Sequence, residues 1–265
     1  MIPEDALLLT KLALVAASIL GASLIARRYG HAVSGALAGL PVIVGPIIAI
    51  LLIDLPAERV RGIALATLVC EPAMLAHIVV FAHAARRFGW PACLALATTT
   101  YVALAAALPQ FAAGPLMASL VAGAALLLST HLLPATGAGP DGPIDVPNSE
   151  LWWRLAAALA IAALVMWGAD HFPAAIAGAL LAVPITGSVL PCFTLPRHGP
   201  QATARLLAGF VRGQSGFFAF FVVLLALLPH APKAAAFLLA MGAALAAPWL
   251  SNKIGAAMRA QRAAA

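Results

Sequence analysis

The sequence predicts an all-α, polytopic membrane protein with about nine transmembrane spans, arranged as two inverted four-span repeats joined by a connecting span. Three observations predict it. Of 265 residues, 63% are hydrophobic and 9% charged, where a soluble domain carries about 25% charged residues. Apolar runs of about 20 residues recur along the whole chain, each long enough to cross a hydrocarbon core of ~30 Å. A shift of 143 residues brings glycines, prolines and one acidic position into register. A transmembrane barrel would show short alternating strands instead.

The spans run approximately over residues 6–26, 32–53, 60–85, 90–108, 112–133, 151–168, 173–193, 203–228 and 233–250. Span 1 lacks a basic start and a clear cleavage site, so it reads as a retained span rather than a signal peptide. Span 2 contains "GALAGLPVIVGPI" and span 7 "GALLAVPITGSVLP", both apolar and both rich in helix breakers. Span 5 is followed by "PATGAGPDGPIDVPNSE", a Pro- and Gly-rich linker. The organisation is therefore residues 1–110 as the first repeat, 111–148 as connecting span and linker, and 149–265 as the second repeat with a basic tail.

Charge sets the expected orientation. With the N-terminus outside, the inner side holds Arg27, Arg28, Arg86, Arg87, Arg154, Arg197, Arg205, Lys253, Arg259 and Arg262. The outer loops hold only Arg59, Arg61 and Lys233. The expectation is N-outside and C-cytoplasmic in a bacterial inner membrane. The net charge of +6 is scattered over span ends, a pattern that orients a membrane protein rather than binding nucleic acid. Cys70, Cys93 and Cys192 lie in or beside apolar runs without CxxC spacing. They read as packing residues, with no disulfide framework or metal site indicated.

The 143-residue shift superposes Ala32, Gly35, Ala36, Leu37 and Pro41 on Ala175, Gly178, Ala179, Leu180 and Pro184. In the same gapless register Glu71 falls on Gln214 and Lys11 on Arg154. Five crossings separate the starts of the two halves, and an odd number turns the second half over in the membrane.

Breakers at mid-span give the repeat a function. Pro frees the carbonyl one turn earlier and Gly lets the backbone leave helical geometry. Unpaired backbone in lipid costs several kcal/mol per group unless protein or water satisfies it. Gly39, Pro41 and Gly45 in span 2, with Pro184, Thr186, Gly187 and Ser188 in span 7, are the candidate site backbone. For a single span, kinking and close helix packing would be the plainer explanation; two matched spans favour a site for an ion or small solute.

Glu71 stands mid-span, where a carboxyl group is costly and is by default a functional candidate. Its repeat mate Gln214 lies in "VRGQSG", where Gly213 and Gly216 suggest a further irregularity. Arg212 is the arginine deep in span 8, and two roles compete for it: a buried ion pair with Glu71, or a grip on an anionic solute. His77 and His83 do not share a face with Glu71, since six residues turn a helix by about 240°, so no metal site or proton wire is built from them. Thr98, Thr99, Thr100 and Tyr101 form a polar patch of second rank.

The paired breakers Gly35/Pro41/Gly45/Pro46 and Gly178/Pro184/Gly187/Pro191, with Glu71 and Gln214, resemble the inverted-repeat secondary transporters of the sodium–proton antiporter and bile-acid-symporter type. The resemblance is architectural, covers residues 5–250 and rests on no signature string. It implies two discontinuous helices crossing at mid-membrane, with acidic and amide side chains binding sodium or protons. No span carries an aspartate pair, and nine spans is one fewer than a five-plus-five arrangement.

The expected function is a secondary active transporter of a small solute, with a slight preference for an organic anion, coupled to protons or sodium by alternating access. No cofactor is expected beyond Na+ or H+ as coupling ion; the partners are the bilayer, the solute and, as an open alternative, a second copy of the chain. Two other classes stay in view: a membrane-embedded lipid or isoprenoid enzyme, and a passive pore or structural subunit. The sequence offers no HExxH, GxSxG or phosphate-cradling Gly–Lys loop, which argues against an enzyme.

Overall fold

The structure, a computed structural model, describes residues 13, 16, 17, 30–111, 114–136, 148–168 and 171–264; for 251–264 and part of 148–168 the backbone alone is described. Most of the expected first span, its Lys11, and residues 137–147 of the linker lie outside these residues.

The described residues form helices and no strand. In chain order they are α1 (30–39), α2 (Val44–Asp54), α3 (Ala57–Ala84), α4 (Trp90–Ala107) with a 3-10 turn at Leu108–Phe111, α5 (Pro115–Leu132), α6 (Asn148–Gly168), α7 (Ala174–Leu181), α8 (Ile185–Leu227) and α9 (Lys233–Ala264). Among the described residues, six segments are long and apolar enough to cross a membrane: Gly30–Asp54, Ala57–Ala84, Trp90–Phe111, Pro115–Leu132, Ala174–Leu227 and Lys233–Leu250. The protein is an integral membrane protein of the helical class.

The segment Ala174–Leu227 holds 54 residues, which as one straight helix would reach about 81 Å, far beyond one membrane thickness. It divides at Gly199, whose φ of +76° and ψ of −178° are non-helical. An L side chain rarely adopts that conformation, and Pro196 and Pro200 flank the turn. The first part of α8, 185–198, therefore belongs with α7 across a break, and the second part, 200–227, returns.

Side-chain contacts show which loops share an end of the molecule. Arg59 donates to the Phe172 carbonyl, and Lys233 Nζ donates to the Leu52 and Leu55 carbonyls at 3.0 and 2.7 Å. At the other end His83 Nε2 donates to the Leu132 carbonyl at 2.7 Å, and the His31 and His198 rings meet edge-on at 4.9 Å. Successive described segments thus alternate in direction.

α3 is the central helix. Ile63, Ala64, Leu68, Ile78 and Phe81 on it are wholly buried, together with Ile47 and Ile48 of α2 and Phe220 and Phe221 of α8. Burial around the whole helix marks one enclosed by other helices. The outer helices present Leu116, Leu120 and Leu127 of α5, and Leu238, Leu239 and Leu245 of α9, as exposed apolar surface. That surface faces lipid in a membrane protein.

One expectation needs correction. Gly213 and Gly216 do not interrupt α8; they sit inside regular helix, where a Cβ would lie 2.0 Å from the Ala36 carbonyl oxygen and 2.4 Å from that of Ala244. They are there for close packing. α9 continues helical to Ala264, with Pro248 inside it.

Candidate functional site

Both expected breaks are present and narrower than the breaker-rich runs. The first covers Leu40–Ile43, between α1 and α2, and the second Ala182–Pro184, between α7 and α8. Gly45 and Pro46 fall in the first turn of α2, and Gly187 in that of α8. Neither α2 nor α8 receives a side-chain cap at its N-terminus. Each N-terminus therefore presents backbone N–H groups and a partial positive charge at its break.

The two breaks touch. Thr186 Oγ1, in the first turn of α8, donates to the Ala38 carbonyl near the end of α1 at 3.0 Å. Beside them Ser188 Oγ and His77 Nε2 are hydrogen-bonded at 3.0 Å, and a Cβ on Gly187 would meet Ile78 at 2.5 Å.

Each break is also held by a close helix pair. A Cβ on Gly35 would lie 1.9 Å from the Leu206 carbonyl oxygen and 2.8 Å from the Phe210 nitrogen. One on Gly178 would lie 2.7 Å from the Ile63 carbonyl oxygen and 2.6 Å from the Thr67 nitrogen. These contacts exchange under the 143-residue shift: Gly35 maps to Gly178, Ile63 to Leu206 and Thr67 to Phe210. Helix bounds obey the same shift. Ala57–Ala84 maps onto 200–227, the part of α8 after Gly199, and 90–107 maps onto 233–250, the apolar length of α9.

Glu71 is wholly buried, and neither carboxyl oxygen makes a hydrogen bond. On α3, contacts to α7 lie at Ile63–Thr67 and contacts to α8 at His77–Ile78. Glu71 lies between them, on the length of α3 that passes the second break. Gln214 is 2% exposed and its Oε1 makes no hydrogen bond. Its backbone nitrogen is 3.0 Å from the Cβ position of Gly39, one residue before the first break, and Leu40 packs on Gly216. Glu71 and Gln214 thus stand at equivalent places beside the two breaks.

Arg212 is not part of this arrangement. It is exposed, and its Nε donates to the Ala208 carbonyl on its own helix at 3.3 Å. The buried pair with Glu71, one of the two roles weighed for Arg212, does not form, because Arg212 is exposed while Gln214 lies on the enclosed side of α8.

Two contributors were set aside in the sequence. His77 reaches Ser188, and the Tyr101 hydroxyl donates to the Ala179 carbonyl beside the second break. Thr98 and Thr99, from the same polar patch, are exposed, and Thr100 bonds its own helix at Leu96. A buried histidine in the same span as the buried Glu71 was the available signal. Helical phase relative to Glu71 does not reveal it, because the partner of His77 is Ser188 on α8.

Next to Ser188 a cavity of about 540 Å3 opens between α4, α6 and the first part of α8, lined by Trp90, Leu94, Trp153, Val189, Phe193 and Arg197 among others. Among the described residues no group of three or more His, Cys, Asp or Glu gathers to hold a metal ion. No family model, curated protein or solved structure matches the chain.

Proposed function

We propose that the protein is a secondary active transporter, built as nine crossings in two inverted four-span repeats, that carries a small solute by alternating access. The observation that carries the reading is the fully buried, unbonded Glu71 beside two helix breaks that hydrogen-bond to each other. A buried carboxyl without a partner costs free energy, so its retention points to a use. A proton or sodium ion at Glu71 supplies that use, with Gln214 offering an amide oxygen at the matching place in the other half. The exchange of contacts under the 143-residue shift supports the inverted repeat.

Unequal exposure of the two halves supports alternating access. The cavity beside Ser188 and Phe193 reaches the end of the molecule that bears Arg197. Their counterparts in the other half, Gly45 and Ile50, are buried, with Met241 closing on Gly45. One half open and its mate closed is the asymmetry expected of a carrier facing one side.

The test is uptake into proteoliposomes under imposed proton or sodium gradients, with a panel of small acids and amines. Glu71→Gln is expected to abolish gradient-driven uptake while the protein remains folded. Unchanged coupled uptake by that variant removes Glu71 from the mechanism.

A second reading, a membrane-embedded enzyme acting on lipid, is favoured by Ser188 and His77, which stand at nucleophile–base distance beside the cavity. It ranks below transport because Glu71 makes no bond to His77, leaving the imidazole without a carboxylate to orient it. Stoichiometric labelling of Ser188 by a fluorophosphonate would reverse that order.

A further inference from the structure

The cavity beside Ser188 carries chemistry that the breaks do not. Its walls are aromatic and aliphatic: Trp90 and Leu94 from α4, Trp153 from α6, Val189 and Phe193 from α8. Two polar side chains mark its ends. Ser188, bonded to His77, lies three residues into α8 beside the break. Arg197 lies nine residues further on, about 13 Å along the helix, just before the turn at Gly199. Arg197 is exposed, and its guanidinium carbon stands 5.7 Å from the centre of the Phe193 ring. A guanidinium over an aromatic face is held in orientation while its N–H groups stay free for an anion.

We infer that this cavity is the access site for the transported solute, and that the solute is a water-soluble organic monocarboxylate with an apolar body. The carboxylate pairs with Arg197 at the mouth, and the apolar body lies against Trp90, Trp153 and Phe193. A volume of about 540 Å3 is within the range of sites that enclose a small organic molecule. A lone cation on an otherwise apolar wall selects one negative charge; a dicarboxylate would leave its second charge against hydrocarbon. A membrane lipid fits less well, because it brings two acyl chains, each about half of a ~30 Å hydrocarbon core in length, to a cavity of about 540 Å3 that spans ~13 Å from Arg197 to Ser188.

This inference rests on the transporter reading for the word "transported" and on the cavity alone for binding, so the two are tested separately. The full-length chain is placed in nanodiscs of neutral phosphatidylcholine, carrying Trp152→Phe, Trp167→Phe and Trp249→Phe so that only the two cavity tryptophans fluoresce. The probe is 8-bromooctanoate, whose bromine quenches indole at contact, with 8-bromooctanol as the uncharged control. Saturable quenching by the carboxylate is expected, at least ten-fold tighter than by the alcohol. Arg197→Gln, an exposed substitution that leaves the interior intact, is expected to weaken the carboxylate at least ten-fold and leave the alcohol unchanged. Cys192→Phe, which fills the cavity, is expected to weaken both, with the ligand-free melting curve confirming that the variant is folded.

Equal affinity for acid and alcohol, or indifference of the acid to Arg197→Gln, overturns the inference. So does displacement of the acid by unbrominated phosphatidylglycerol in the same discs, read as recovery of fluorescence, which assigns the cavity to lipid. Carboxylate binding as expected, together with an absence of any gradient-driven uptake, would leave the binding site standing and remove the transporter reading.

Discussion

The Thr186 hydroxyl donates to the carbonyl of Ala38 at 3.0 Å across 148 residues of chain. It joins the first turn of α8 to the last turn of α1, so the two interrupted segments are fastened where each stops being helical. A hydroxyl placed there occupies one of the carbonyls that the first break would otherwise leave without a donor.

Thr186→Val keeps the shape of the side chain and removes the donor. A single hydrogen bond of this kind contributes about 1 kcal/mol, so a small fall in melting temperature in detergent is expected. Uptake should fall by far more than that change implies, because the bond fixes the geometry of the breaks. Normal uptake with a lowered melting temperature would make Thr186 a packing residue only.

The Gly209 and Gly213 pair packs on α1 so closely that a methyl group has no room. A Cβ would lie 2.0 Å from the Ala32 carbonyl oxygen at Gly209 and 2.0 Å from the Ala36 oxygen at Gly213. Backbone oxygens within helices cannot yield, so Gly209→Ala and Gly213→Ala should lower yield and melting temperature severely. Gly242 has nothing within 4 Å of its Cβ position. Gly242→Ala should be neutral or stabilising by up to ~1 kcal/mol through helix propensity. Fluorescence-detected size exclusion after a heat challenge separates the three.

Much of the fold was legible because lipid demands long apolar helices, and because Gly–Pro clusters such as Gly39–Pro41 and Val183–Pro184 leave few alternatives to a break. The expected end at 193 for span 7 fell short because Pro191 and Pro196 are accommodated inside α8, and the chain turns at Gly199 instead. Gly213 and Gly216 misled for a related reason: the same residue that permits a break also permits two backbones to meet. Which role applies depends on the neighbouring helix, and one sequence carries no such information. Arg212 stands apart from Gln214 because residues two apart on a helix face different sides, and its depth in span 8 alone does not say which side it takes.

Lys233 reaches past the start of its own helix to the carbonyls of Leu52 and Leu55 at the end of α2. A cation there satisfies orphan carbonyls and opposes the negative end of the helix. Lys233→Met should cost about 1–2 kcal/mol, read as a lower melting temperature, with Lys233→Arg restoring part of it. Equal melting temperatures for wild type and Lys233→Met would show that water serves these carbonyls as well.

The alternation of segment direction places Phe88 and Phe111, both exposed, at opposite ends of the molecule. With the basic end inside, Phe111→Cys should react with an impermeant maleimide on intact cells, and Phe88→Cys only after permeabilisation. The background replaces Cys70, Cys93 and Cys192 by Ala to remove other thiols. Labelling with the two positions reversed would place the basic end outside and invert the direction of access proposed for the Arg197 cavity.

Glu71 gives the sharpest separation of stability from function. Its carboxyl group is wholly enclosed and accepts no hydrogen bond, so the folded protein carries the cost of desolvating it without return. Glu71→Met has similar volume and no polar atoms, and should raise stability by about 1–3 kcal/mol, seen as a higher melting temperature in detergent. Glu71→Gln keeps a buried polar group and should melt near wild type. Both should abolish gradient-driven uptake, since neither can take up and release a proton or bring a negative charge to a sodium ion. A group whose removal strengthens the fold and ends the activity is one retained for the activity. A marked loss of stability in Glu71→Met would mean instead that the carboxyl is bonded in the native membrane and serves the fold.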